Sequence, residues 1–224
     1  MPTLSVHVPS NGSSQELTGC YWYRNEPPLI QPLNQNQMRL FIGLNLPKRE
    51  RRRIQHAIQI LREEDFPVRW IDPANLHITM KFFGEVNNEQ VESIEAAMSQ
   101  VASQTTVFSI ILGGFGAFPS IRSPSLIWLG IGASPELRCL KQDLEWAFAE
   151  CGFESEMRGF HPHVTLARVK KKGAAGMFRG LDKLLADLDF NGELKVDRIN
   201  LIRSQLSKNG ARYSVVSGAK LASA

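Results

Sequence analysis

The sequence predicts an α+β fold in which one structural unit occurs twice, giving a bilobal domain with a pseudo-two-fold axis. Three observations predict it. The motif His77-Ile78-Thr79-Met80 recurs as His163-Val164-Thr165-Leu166, 86 positions later (163 − 77). Both copies lie in apolar, β-branched runs of strand character. Under the same shift, the strand candidate 39–46 falls on 125–132 and the helix start at Lys48 falls on Ser134. Strand, helix and His-Thr strand therefore recur in register, the trace of a duplication. A two-fold relation between the copies sets the two His-Thr faces opposite each other across one groove.

Residues 1–37 carry Pro2, Pro9, Pro27, Pro28 and Pro32 among many Asn, Gln and Ser, and show no strand or helix period. They read as a disordered extension, with Cys20-Tyr21-Trp22-Tyr23 as its one aromatic patch. Met38-Arg39-Leu40-Phe41 is the natural start of a domain that runs from 38 to 224. Arg39 to Leu46 reads as a strand stopped by Pro47. Lys48 to Glu64 places Ile54, Ala57, Ile58 and Leu61 on one helix face. Its basic run, Lys48 to Arg53, reads as a solvated first turn. Val68 to Ile71 is a short strand, and Asp72-Pro73-Ala74-Asn75 is a turn before the first His-Thr strand. Asn87 or Asn88 caps a helix whose face is Val91, Ile94, Met98 and Val101.

In the second half, Thr105 to Leu112 reads as a strand. Gly113-Gly114-Phe115-Gly116 is no nucleotide-binding glycine loop, because no helix follows it. Phe118 to Pro124 is a loop and Ser125 to Ile131 a strand. Ser134 or Pro135 opens a helix with a face of Leu137, Leu140, Leu144, Phe148 and Cys151, ended by Gly152. After the second His-Thr strand comes a basic linker, Lys170-Lys171-Lys172-Gly173. A helix over Phe178 to Leu188 and strands near 190–197, 198–206 and 211–217 close the chain.

With 224 residues and 43% hydrophobic content, the chain has enough apolar residues for one large domain or two small lobes. A net charge of +4 suits an anionic ligand without suggesting a polycationic tail. Three cysteines without a CxxC pair argue against a disulfide framework or a cysteine zinc site, and point to a reducing, cytoplasmic compartment. No apolar run reaches the roughly 18 residues of a membrane span, and no basic-then-apolar leader marks a signal peptide.

Side chains two apart on a strand share a face. His77 and Thr79 therefore look one way while Ile78 and Met80 look into a core. His163 and Thr165 do the same above Val164 and Leu166. One His-x-Thr strand is commonplace, but two in register bring two imidazoles and two hydroxyls to one groove. Free histidine titrates near ~6.5, so a neutral ring can take a proton from water and a protonated one can give a proton to a leaving oxygen. Each threonine hydroxyl can donate to a phosphoryl oxygen as charge develops. The reaction that fits is in-line displacement at a phosphodiester, with no cofactor and no metal. A zinc site on His161 and His163 is a weak rival, because Pro162 between them suggests that the strand begins only afterwards.

The motifs Asn75-Leu76-His77-Ile78-Thr79-Met80 and His161-Pro162-His163-Val164-Thr165-Leu166-Ala167-Arg168 resemble those of the two-histidine phosphoesterase superfamily. They are most similar to the RNA 2′,3′-cyclic phosphodiesterases, historically called 2′-5′ RNA ligases. Phe82-Phe83-Gly84-Glu85, Trp128-Leu129-Gly130 and Arg203-Ser204-Gln205-Leu206 followed by Tyr213 add to the resemblance, which spans about residues 38–217. It implies two antiparallel β-sheets lining a central groove, with helices packed outside. It also implies roles: His77 protonates the leaving 3′-oxygen, His163 activates water, and Thr79 and Thr165 hold phosphate oxygens. Arg168 is a further implied phosphate ligand, although strand parity sets it opposite His163, so this role requires a bend. Lys81 and Phe83 share the parity of His77 and are candidates for contact with phosphate and base; a solvated lysine and a core phenylalanine are the plainer readings. The implied partner is RNA ending in a 2′,3′-cyclic phosphate, with no membrane, no obligate protein partner and a monomeric chain. Small cyclic nucleotides, ADP-ribose cyclic phosphate, reversible 2′-5′ ligation, or a non-catalytic RNA-binding module are the alternatives.

Overall fold

The computed structural model describes residues 37–170, 176–207 and 210–223. The aromatic patch at 20–23 and the linker residues 171–173 lie outside them. β1 (Met38–Asn45), β3 (His77–Val86), β8 (Arg198–Ser207) and β9 (Gly210–Lys220) form one antiparallel sheet in the order β3-β1-β8-β9. β6 (His163–Val169), β5 (Leu126–Ile131), β4 (Phe108–Phe118) and β7 (Asn191–Val196) form the other, in the order β6-β5-β4-β7. The predicted α+β architecture is thus present, with each lobe keeping its His-Thr strand at the seam. At their far ends the two sheets are tied by a parallel bridge of Thr106 to Ala222, and at the seam they join through the antiparallel pair of Ile78 with Val164 and so run on as one nine-stranded sheet. Beyond that pair β3 peels away, and β2 (Val68–Trp70) takes over the same edge of β6, pairing Trp70 with Ala167, Arg69 with Arg168 and Val68 with Val169. That exchange of partners parts the sheets and opens the groove.

The back faces of both sheets pack into one continuous core. Alternation decides which residues go there: Leu40, Ile42 and Leu44 of β1 enter it, while Phe41, although buried, faces the groove. The helices lie outside. α3 (Asn88–Gln104) covers β8 and β9, and is capped by Asn87, whose side chain accepts from Gln90 N while Gln90 answers to Asn87 N. α4 (Pro135–Glu150) packs behind β3 and against α3. Its cap is Ser134, accepting from Leu137 N at 3.1 Å.

Several boundaries moved. The predicted helix over 48–64 is two, α1 (Lys48–Ala57) and α2 (Gln59–Glu63), broken at Ile58 although its apolar face stays buried. The basic first turn is not simply solvated: Arg53 donates to Asn191 O at 2.6 Å, and Arg51 donates to Ala74 O at 3.2 Å. β4 runs on to Phe118 through the glycine run, which is absorbed as an irregularity in the β4–β5 ladder with Gly114 at φ 72°. Cys151 is the exposed C-cap of α4 and not part of its buried face. The helix predicted over 178–188 is only α5 (Leu181–Asp187), because Gly180 precedes it in the left-handed region.

The repeat also needs one correction. Gly43 pairs with Thr79 and Trp128 pairs with Thr165, so the first strands correspond at an offset of 85 (128 − 43), one less than the offset between the histidines. The uniform shift set β1 one residue out on β5, and one residue on a strand exchanges its two faces.

Candidate active site

The Ile78–Val164 pair fixes the centre of the groove. Both side chains point into the core and are fully buried. Their neighbours in sequence point the other way, so the antiparallel register sets His77 across from Thr165 and Thr79 across from His163. Four residues predicted from two distant motifs thus meet on one face of the seam.

Each imidazole is held in the same manner. His77 Nδ1 lies 2.7 Å from Asn75 O, and His163 Nδ1 lies 2.8 Å from His161 O. A carbonyl only accepts, so Nδ1 carries the hydrogen and donates, leaving Nε2 as the reactive nitrogen of each ring. Among the described residues, no hydrogen bond engages either Nε2 or either threonine hydroxyl. Aromatic walls fix the rings from the sides. His77 packs 4.8 Å from Phe41 and edge-on to Tyr213 at 5.1 Å. His163 is edge-on to Phe118 at 5.3 Å, and Phe118 stacks on Trp128 at 5.2 Å. Trp128 lies flat over Gly116, where a Cβ would stand 2.3 Å from the indole, so only glycine fits there. Beside His163 the groove widens into a pocket of about 340 Å³ between Trp128, Arg138, Phe160 and His161.

This setting governs protonation. Burial is the main influence on His77 and holds it down to about 4; the Asn75 carbonyl works against it, and the charges of Arg168 and His163 add to the lowering. The residue as a whole is half-buried, but its ring sits between Phe41 and Tyr213 and is desolvated accordingly. His163 is lowered for the same reasons, burial first, with the His161 carbonyl opposing and Arg168 and His161 reinforcing. Lowered in this way, both rings are neutral near pH 7.

Two β-bulges decide what else reaches the groove. On β3, Gly43 pairs with Thr79 but the next residue, Ile42, pairs with Lys81, which leaves Met80 as an extra residue. On β6, Trp128 pairs with Thr165 but Ile127 pairs with Ala167, which leaves Leu166 extra. The two bulges stand at equivalent places, and each reverses the alternation after its motif. Arg168 is thereby carried onto the face of His163 and Thr165, supplying the bend its role required, and its charge acts on both rings.

The same device overturns Lys81 and Phe83 as groove residues. Lys81 is 1% exposed behind the sheet, with Nζ donating to Glu145 Oε2 at 2.7 Å and to Glu154 O at 2.8 Å. Phe83 packs on Phe148 and Phe153, at 4.8 Å from each ring. Phe82 takes the groove position instead; it is 54% exposed and 5.5 Å from Phe41. The structure thus replaces both candidates with a residue the alternation had hidden. On β6 the adjacent apolar pair Leu166-Ala167 is a visible break in alternation. On β3 the lysine conceals it.

β6 begins at His163, as Pro162 predicted, and His161 is exposed outside the strand. Among the described residues, no three His, Cys, Asp or Glu side chains are placed to hold a metal ion, and no helix is long and apolar enough to cross a membrane.

A protein of Thermotoga maritima named RNA 2′,3′-cyclic phosphodiesterase is 30% identical over 180 residues, which is 80% of this chain and 93% of that protein. One of the same name from Aeropyrum pernix is 36% identical over 160 residues, 70% of this chain and 88% of the relative. The crystal structure of a Thermus thermophilus protein superposes with a TM-score of 0.69 at 26% identity, covering 82% of this chain and 98% of its own. E. coli LigT complexed with 3′-AMP gives 0.66 at 26% identity, covering 83% and 98%. The model of the 2′-5′ RNA ligase superfamily matches residues 50–208, and the chain, with its paired His-Thr strands, belongs to that superfamily.

Proposed function

We propose that this protein hydrolyses the 2′,3′-cyclic phosphate ends of RNA to 2′-phosphates by a two-histidine acid-base mechanism that needs no metal. The observation that carries this reading is the shared arrangement of His77 and His163. Each ring is pinned through Nδ1 to a backbone carbonyl, presents Nε2 to the groove, and lies across the seam from a threonine hydroxyl that no described residue engages. The names of the relatives and the 3′-AMP held by LigT support the choice of substrate.

In the proposed reaction, His163 Nε2 takes a proton from water as the water oxygen attacks phosphorus. The bond to the 3′-oxygen breaks in line with the attack, and that oxygen receives the proton from His77 Nε2. The phosphate stays on the 2′-oxygen. Thr79 and Thr165 donate to the non-bridging oxygens, and Arg168 balances their charge. His77 must gain its proton with the substrate, since burial by itself keeps the ring neutral. The phosphate supplies the cause: it neutralises Arg168, whose charge lowers both rings, and adds a negative charge beside them. Ligation through a 2′-5′ bond is the same displacement with an RNA 5′-hydroxyl in place of water, and its reversal returns the cyclic phosphate and the 5′-hydroxyl. A single RNA-processing domain over 38–224, acting as a monomer in the cytoplasm, is part of the proposal.

The test is incubation of an oligonucleotide ending in a 2′,3′-cyclic phosphate with the protein in excess EDTA. A 2′-phosphate product at an unreduced rate is expected. A 3′-phosphate product, or activity that requires added zinc or manganese, overturns the mechanism.

A further inference from the structure

The proposed chemistry uses Arg168 and leaves its partner across the strand pair without a function. Arg69 of β2 stands directly opposite Arg168 of β6. Directly paired residues of antiparallel strands share a face. Since the bulge at Leu166 brings Arg168 to the groove face, Arg69 lies on that face too, one strand further from the seam. Both side chains are exposed, and neither makes an ion pair with an acidic side chain among the described residues. Like charges directly opposed on a sheet destabilise it, so the pair stands at a cost that a bound anion would relieve.

Arg69 also reaches the other lobe. A Cβ at Gly210, the first residue of β9, would lie 3.7 Å from Arg69 Cζ. The guanidinium therefore closes one end of the groove, where β2 has replaced β3 on the edge of β6.

We infer that Arg69 and Arg168 form a second phosphate subsite that takes the phosphodiester 5′ to the terminal nucleotide, making this site selective for RNA chains over mononucleotides. This rests on the proposed substrate. With the reacting phosphate at the histidines, Arg168 faces it from one side and shares its outer side with Arg69, where the next phosphate of a chain emerges. A nucleoside 2′,3′-cyclic phosphate has no such phosphate. A charged rim serving only to protect an edge strand predicts no distinction between the two ligands.

The experiment compares unmodified protein, Arg69→Ala and Arg69→Lys in binding two product-like probes, a nucleoside 2′-monophosphate and a dinucleotide whose 3′-terminal nucleoside carries a 2′-phosphate. Titration calorimetry at two salt concentrations reads the result without any turnover. The unmodified protein is expected to prefer the dinucleotide. Arg69→Ala should reduce that preference about 10-fold, the scale of one charge-assisted hydrogen bond, and lower the salt dependence of dinucleotide binding by about one phosphate contact. Arg69→Lys should restore part of it. An unchanged preference, or equal weakening of both probes, overturns the subsite. Failure to open any cyclic phosphate sinks the proposed reaction instead, and leaves these binding ratios to be judged on their own.

Discussion

Ile78 and Val164 face each other at the bridge that joins β3 to β6, and both are fully buried. Their pairing sets the two His-Thr motifs in register, so the groove chemistry rests on a pair that never touches solvent. Changing His77 or His163 to Ala should lower the rate on a cyclic-phosphate oligonucleotide by about 10²- to 10⁴-fold, the usual worth of a positioned acid or base. Thr79→Ala and Thr165→Ala should cost less, about 10-fold each for one charged hydrogen bond. A substrate whose leaving oxygen needs no proton should rescue the His77 variant alone. Rescue of the His163 variant alone would reverse the assigned roles.

The lowered histidines make two pH predictions. Because kcat/KM reports the empty protein and kcat the complex, the limb belonging to the acid should fall at lower pH in kcat/KM than in kcat. A His77 resonance should correspondingly titrate near 4 in the free protein and higher with phosphate bound. The second concerns stability. The unfolded chain takes up a proton as pH falls through about 6.5, whereas folded His77 resists until about 4. Stability should therefore be level above that window and decline across it. Denaturant unfolding at pH 7 and pH 5 should show a smaller decline for His77→Gln.

Phe82 and Phe83 are adjacent yet serve opposite sides of the sheet. Phe83→Ala removes a ring packed on Phe148 and Phe153 and should lower stability by about 3 kcal/mol. Phe82→Ala removes a ring that is more than half exposed, and should leave stability near that of the parent while raising KM for RNA. Urea unfolding beside steady-state kinetics separates the two, and the reverse pattern would deny the bulge at Met80.

Lys81, Lys141 and Glu145 form a buried ion cluster that ties β3 to α4, with Lys141 also donating to Met80 O at 2.6 Å and to Glu156 at 2.8 Å. Glu145→Ala leaves two ammonium groups behind the sheet without their shared carboxylate. Removing one partner of a buried pair costs about 3–5 kcal/mol, so this variant should unfold at markedly lower denaturant, and more so than Glu156→Ala, whose side chain is 40% exposed.

A chain beginning at Met38, where β1 starts, should fold and keep the activity of the full protein on a cyclic-phosphate oligonucleotide. An insoluble or inactive product would show that residues before Met38 belong to the domain.

The sequence by itself determined whatever depends on local periodicity. Alternation in His77-Ile78-Thr79 and His163-Val164-Thr165 settled which side chains look out and which look in. Helix periodicity placed Ile94 and Met98, or Leu140 and Leu144, in the core, and the recurrence of strand, helix and motif foretold two lobes around one groove. The tertiary structure alone decided where alternation stops. A bulge is two residues set against one on a neighbouring strand, so it exists only once the partner is in place. Hence Lys81 and Phe83 turn inward while Phe82 and Arg168 turn to the groove. The place of β2 beside β6, which aligns Arg69 with Arg168, and the burial that lowers both histidines likewise arise from contacts between segments far apart in the chain.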